Sequence, residues 1–162
     1  MPALAKRTDE EPLLRLETFL PYRLSVVSNT ISNAIAAAYS ARFDLSIPEW
    51  RVMAVLGATP DLAAAEVAER TAMDKVAVSR SVASLLQSGR LLRRTDANDR
   101  RRSILRLSAR GQAVYNEVAP LALGYERALL AGLDDGDRRA LERILNRLQQ
   151  AANATPHRPH CA

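Results

Sequence analysis

The side chains of this chain that are best placed to do chemistry are cations. Between Arg70 and Gln112 the sequence sets 11 Lys and Arg against 3 Asp and no Glu, a net of +8. The other residues hold 12 basic and 15 acidic groups, a net of −3, so the formal charge of +5 comes from this one segment. Guanidinium groups fork onto phosphate oxygens and ammonium groups meet them as point charges. Charge segregated in this way is the footprint of a surface that faces a polyanion, most simply nucleic acid. Inside the segment, helical spacing gathers Lys75, Val76, Ala77, Ser79, Arg80, Ala83, Ser84 and Gln87 on one side, opposite Val78, Val82, Leu85 and Leu86. Small residues permit close approach, cations meet phosphate or guanine, and hydroxyls bond base edges or phosphate.

Other chemistries find less support. Both histidines, His157 and His160, lie in the C-terminal tail beside Cys161, so the body of the chain lacks the usual general base. No Ser/His or Cys/His set can be assembled there, and the chain is not expected to be an enzyme. Two His and one Cys on a loose tail lack the ordered spacing of metal ligands, so no metal and no cofactor are expected. Glu10, Glu11, Glu66 and Glu69 read as solubilising charges. A single cysteine excludes an intramolecular disulfide and suits a reducing compartment. No leader-like run and no stretch of roughly 20 apolar residues is present, so the expectation is a cytoplasmic protein with no membrane partner.

The elements that must position these residues follow from periodicity and punctuation. The length, 162 residues, and a hydrophobic content of 48% fit one globular domain with appended helices. Pro21 opens a helix of about six turns with Leu24, Val27, Ile31, Ala34, Ile35 and Ala38 in one stripe. Its other side, Ser25, Ser28, Asn29, Ser32 and Asn33, is polar but uncharged, which suits another protein surface or a wet pocket. Ser46-Ile47-Pro48-Glu49 is a capping box for a helix that buries Trp50, Val52 or Met53, and Leu56, and stops at Gly57. Asp61 caps a short helix, and Asp74 caps the cationic one, which ends at Gly89. Leu91–Thr95 and Ser103–Leu107 form a hairpin with the charged tip Asp96-Ala97-Asn98-Asp99-Arg100-Arg101-Arg102. Ser108 caps a long helix that Pro120 should kink, and Asp134 or Asp135 caps a last one with Leu141, Ile144, Leu145 and Leu148 in a row.

The order helix, turn, helix, hairpin is a winged helix-turn-helix. The run V-A-E-R-T-A-M-D-K-V-A-V-S-R-S-V, residues 67–82, and the hairpin D-A-N-D-R-R-R-S-I-L-R-L-S-A-R-G, residues 96–111, resemble the MarR family of bacterial regulators. The resemblance spans about residues 18–150. It departs from the family at Ala72, where many turns have Gly, at Asn98, where some wings have Arg, and at Ser108, where Thr is usual. The resemblance implies a mainly α fold with a small β-hairpin wing. It implies a winged core over residues 46–108, helical dimerisation segments at 12–45 and 109–152, and loose tails at 1–11 and 153–162.

For function the resemblance implies a homodimeric, sequence-specific DNA-binding regulator on a pseudo-palindromic operator in double-stranded DNA, acting as a repressor. Lys75, Val76, Ala77, Ser79, Arg80 and Ser84 would meet the major groove. Arg101 would enter the minor groove, Arg94, Arg100 and Arg102 would accompany it on DNA, and Asp96 and Asp99 would hold the wing together. The runs F-L-P-Y-R-L-S-V-V-S-N-T and S-I-P-E-W-R-V-M look like members released by a small aromatic acid or its coenzyme A thioester. Tyr22, Arg23, Ser28, Asn29, Trp50, Arg51 and Met53 are the matching ligand-binding candidates. Trp50 and Met53 read more readily as core packing than as ligand contacts, and Tyr22 and Arg23 read equally as a structural contact or surface salt bridge. The alternative is a helical dimeric adaptor that binds a small molecule or protein without sequence-specific DNA contact.

Overall fold

A computed structural model describes residues 13–95 and 103–155. The chain divides into two compact units, residues 1–116 and 117–162. In the first, α1 (Leu20–Ala37), α2 (Ser40–Phe43), α3 (Ile47–Ala58), α4 (Ala64–Thr71) and α5 (Lys75–Gln87) precede a hairpin of β1 (Leu91–Thr95) and β2 (Ser103–Leu107). The helix α6 (Ala109–Leu129) begins in this unit, and α7 (Asp135–Ala154) lies in the second. The mainly helical class with a two-stranded wing is thus as the sequence implies.

Local chemistry explains each boundary. Ser46 Oγ accepts the Glu49 amide at 3.4 Å, and the Glu49 carboxylate takes the Ser46 amide at 2.8 Å, closing the capping box of α3. Helix α3 does not stop at Gly57 but runs on to Ala58. Gly57 instead lets the Tyr115 ring lie close, since a Cβ there would fall 2.5 Å from a ring carbon. Asp61 is not a helix cap either. It sits in the left-handed region at φ 64°, Leu62 bridges to Leu105, and α4 begins only at Ala64. The Glu66 carboxylate accepts the Ala63 amide at 2.7 Å there, half of a capping box. Asp74 does cap α5, its carboxylate accepting the Ala77 amide at 2.8 Å. Ser108 Oγ accepts the Gly111 amide at 3.0 Å and donates to the Gly89 carbonyl at 2.7 Å, tying the start of α6 to the end of α5. Gly111 is required by that tie, because a Cβ would lie 2.0 Å from the Arg90 carbonyl oxygen.

The core of this unit lies where α3, α4, α5 and the hairpin meet. It is built from Val52, Met53 and Leu56 of α3, Val67 of α4, Val78, Val82 and Leu85 of α5, and Leu91, Ile104 and Leu105 of the wing. Each large aliphatic side chain buried there contributes about 1.5–3 kcal/mol relative to exposure. The same contacts fix the pose of α5, whose apolar side is held while its cationic side faces out. In the second unit Asp134 caps α7 by accepting the Asp137 amide at 2.8 Å. Arg138 donates to the carbonyls of Leu130 and Leu133, pinning the turn before it.

Candidate nucleic-acid interface

Lys75, Val76, Ser79, Arg80 and Ser84 are all exposed on α5, with Ala77 half-buried beside them. The sequence predicts them as one face, and the helix delivers them as one. Ser81, on the inner side, is buried and returns its hydroxyl to the Ala77 carbonyl at 2.9 Å. Ser84 is not free of internal contacts, since its hydroxyl donates to Glu49 Oε1 at 2.5 Å. The same carboxylate caps α3, so Glu49 joins the entry of α3 to the outer face of α5. Burial raises the Glu49 pKa, but the hydrogen bonds from Ser46 and Ser84 outweigh it and hold the carboxyl below its ordinary range.

The wing strands carry an arrangement that sequence reasoning missed. The antiparallel bridge between Leu62 and Leu105 places Asp61 opposite Arg106. Arg106 donates Nε to Asp61 Oδ1 at 2.8 Å and Nη2 to Oδ2 at 2.5 Å, a bidentate fork. Arg94, on the same face of the hairpin, reaches Oδ1 at 3.3 Å. The hydrogen bond from Arg106, then the two positive charges, hold the Asp61 carboxyl below its ordinary value. Asp61 therefore braces both strands. Arg94 stays more than half exposed while paired, at 55% of its side-chain surface, so it keeps access to a phosphate. Only the register of a third, single-residue strand brings Asp61 to these arginines, and no periodicity in the sequence signals it.

Arg93 is a second missed residue. It lines a groove with Lys75 and Ser79 at the first turns of α5. Alternation along β1 was the available signal, because Arg93 and Arg94 must face opposite sides of the hairpin. Arg90, counted by sequence among the outward cations, is instead 92% buried, with 8% of its surface exposed. Its guanidinium donates to the carbonyls of Phe43 and Asp44. The wing tip with Asp96, Asp99, Arg100, Arg101 and Arg102, and the tail with Cys161, lie outside the described residues.

The ligand-binding candidates separate. Tyr22, Arg23, Ser28 and Asn29 are exposed on α1. Met53 is fully buried in the core. Trp50 is half-buried between Tyr39 and Tyr115, with ring centroids 5.8 and 5.9 Å away. Arg51 donates to Ser32 Oγ at 3.2 Å. Burial pushes the Tyr39 hydroxyl up to about 12 against the pull of Arg51. Tyr39 belongs to the turn before α2 and Tyr115 lies far along the chain from Trp50, and nothing in the spacing announces this aromatic cluster. Among the described residues no group of His, Cys, Asp and Glu is placed to hold a metal ion. No helix among them is long and apolar enough to cross a membrane.

Comparison with known proteins places this geometry. Residues 43–102 match the model of the MarR family. The HTH-type transcriptional regulator BilQ of Clostridium symbiosum is 27% identical over 99 residues, 61% of this chain and 69% of that protein. A MarR/EmrR family transcriptional regulator from Acinetobacter sp. ADP1 has the same fold, with a TM-score of 0.81 over 88% of this chain and 100% of that chain at 22% identity. The PcaV transcriptional regulator of Streptomyces coelicolor, solved in complex with its natural ligand, aligns over 86% of this chain and 98% of its own with a TM-score of 0.69 at 25% identity.

Proposed function

Because this chain belongs to the MarR family of transcriptional regulators, we propose that it is a homodimeric repressor that binds a pseudo-palindromic DNA operator. The observation that carries the reading is α5: its apolar side is locked into the core while Lys75, Val76, Ser79 and Arg80 stand together in solvent. A helix held in this way enters the major groove with its small and cationic residues toward base edges and phosphates. In this reading Arg101 of the wing enters the adjacent minor groove, where a narrow A·T-rich segment attracts a guanidinium.

The dimer is supported by apolar surface that one copy leaves open. Leu24 and Val27 on α1, and Leu141, Ile144 and Leu145 on α7, are each 40% or more exposed. Exposed apolar side chains repeated along one helix, on α1 and separately on α7, mark sites of association. A two-fold dimer presents two recognition helices, so the half-sites should lie about one helical turn, roughly 34–36 Å, apart. Nuclease footprinting tests this: two protected half-sites at that spacing are expected, and a single protected half-site contradicts the dimer.

A small aromatic acid, or its coenzyme A thioester, is the proposed releasing ligand. The cluster of Tyr39, Trp50 and Tyr115 with Arg51 alongside supports it, since aromatic walls and one guanidinium suit an aromatic carboxylate. PcaV, a ligand-binding relative, supports responsiveness in general. Titrating aromatic acids into a protein–operator complex tests this part, with release by at least one of them expected.

A further inference from the structure

One carboxylate beside the wing holds two guanidinium groups, and it holds them unequally. Asp61 stands just before the Leu62–Leu105 bridge with both of its oxygens engaged. Arg106 takes both, Nε to Oδ1 at 2.8 Å and Nη2 to Oδ2 at 2.5 Å. Arg94 has a single contact, Nη2 at 3.3 Å from Oδ1, an oxygen that Arg106 already occupies. A bidentate fork is short and fixed in direction. A lone, longer contact from a side chain that is 55% exposed is screened by solvent and contributes little. Arg94 can therefore leave Asp61 while the Arg106 fork stays closed. Two cations on one anion also leave a positive charge uncompensated, 2 − 1 = +1.

A backbone phosphate competes for the same group. It offers Arg94 two free oxygens for a fork, where Asp61 offers one that is shared. We propose that Asp61 is an internal competitor of the DNA backbone: it holds Arg94 in the free protein and yields it to a phosphate in the complex, while the Arg106 fork keeps the hairpin braced. The carboxylate thereby limits affinity for duplexes of any sequence. Each binding event gives up the Arg94 contact and brings a phosphate close to a negative charge, so that base contacts by α5 carry a larger share of the binding. Asp61 is in this sense a positioning residue that acts through Arg94. The inference rests on the reading of the protein as DNA-binding, but it needs only phosphates and no particular base sequence.

Fluorescence anisotropy on the full chain at fixed ionic strength tests it, with a duplex enriched from genomic fragments and a shuffled duplex of equal length. Asp61→Asn removes the charge and suits the backbone at φ 64°, since Asn tolerates the left-handed region. It should bind both duplexes about threefold or more tighter than the wild type, even though it loses a brace and melts earlier. A role in folding alone would not raise affinity. Arg94→Ala should weaken binding to both duplexes and make the log–log salt slope shallower by about 0.9, one phosphate fewer. In the Arg94→Ala background, Asp61→Asn should gain less than about twofold, because the two residues act as a pair. A thermal melt checks folding, and Asp61→Gly, which also fits a positive φ, carries the test if the Asn variant is unfolded. Affinity equal to or below that of the wild type in a folded Asp61 variant overturns the proposal. A gain that survives in full without Arg94 overturns it too, since that would be long-range repulsion and not exchange. A wild-type chain that binds both duplexes alike sinks the sequence-specific reading and leaves the exchange to be decided by the same variants on either duplex; one that binds neither sinks both.

Discussion

Ala72 occupies a position where side-chain chemistry and backbone geometry disagree. It closes α4 in the left-handed region at φ 52°, where a Cβ crowds the following carbonyl. Glycine avoids that clash but is freer in the unfolded chain, so the two effects partly cancel. Ala72→Gly should therefore raise stability by about 0.5–1 kcal/mol. A denaturant midpoint equal to or below that of the wild type would contradict it. Asp61 gives a second prediction at this scale. Its folded-state pKa is depressed by the Arg106 hydrogen bond and the charges of Arg106 and Arg94. Such a carboxylate stabilises the fold fully above its ordinary value of 3.8, and that contribution is lost as pH falls through the lower folded value. Asp61→Asn should lower stability at neutral pH and flatten the decline on the acid side below about pH 4. Thermal melts across pH 2–7 check this, and parallel curves for the two proteins would show that Asp61 does not contribute in this way.

At the scale of elements, the cationic helix α5 depends on its buried side. Leu85 is fully buried on α5, a helix that packs against α3 and the wing strand β1. Leu85→Ala should cost about 2–5 kcal/mol of unfolding free energy, measured by urea denaturation. A loss under 1 kcal/mol would mean that α5 is not anchored by this core. The elements themselves were largely legible in the sequence. The capping residues Ser46 and Asp74, the stop at Gly89 and both wing strands stand where local chemistry puts them, because caps, turns and short strands are decided by neighbours in the chain. What the sequence did not reveal depends on partners far along it. Asp61 reads as a cap until the Leu62–Leu105 bridge turns it toward Arg106. Gly57 reads as a stop until Tyr115, 58 residues later, is seen to need its space. Arg90 reads as one more surface cation until the carbonyls of Phe43 and Asp44 draw it inside. Of the candidate site, the outer face of α5 was legible because helical spacing alone creates it, while the aromatic cluster was not.

For the whole molecule, the central claim is that segregated charge serves sequence-specific DNA recognition. The exposed Lys75, Arg80, Arg93 and Arg94 stand on the same unit as the charged wing segment. Attraction to phosphates alone would bind any duplex, whereas the proposed contacts of α5 with base edges would discriminate. Fluorescence anisotropy separates the two, using the duplex most enriched from a genomic-fragment selection against a shuffled duplex of equal length, over a series of salt concentrations. The account predicts binding at about 10 nM or tighter at physiological salt, with the shuffled duplex weaker by about a thousandfold or more. The selected complex should lose affinity with salt at a log–log slope of about −0.9 per phosphate contacted. Arg80→Ala and Arg101→Ala should each remove about 1–3 kcal/mol. Equal affinity for selected and shuffled duplexes, unchanged by both substitutions, would contradict the account.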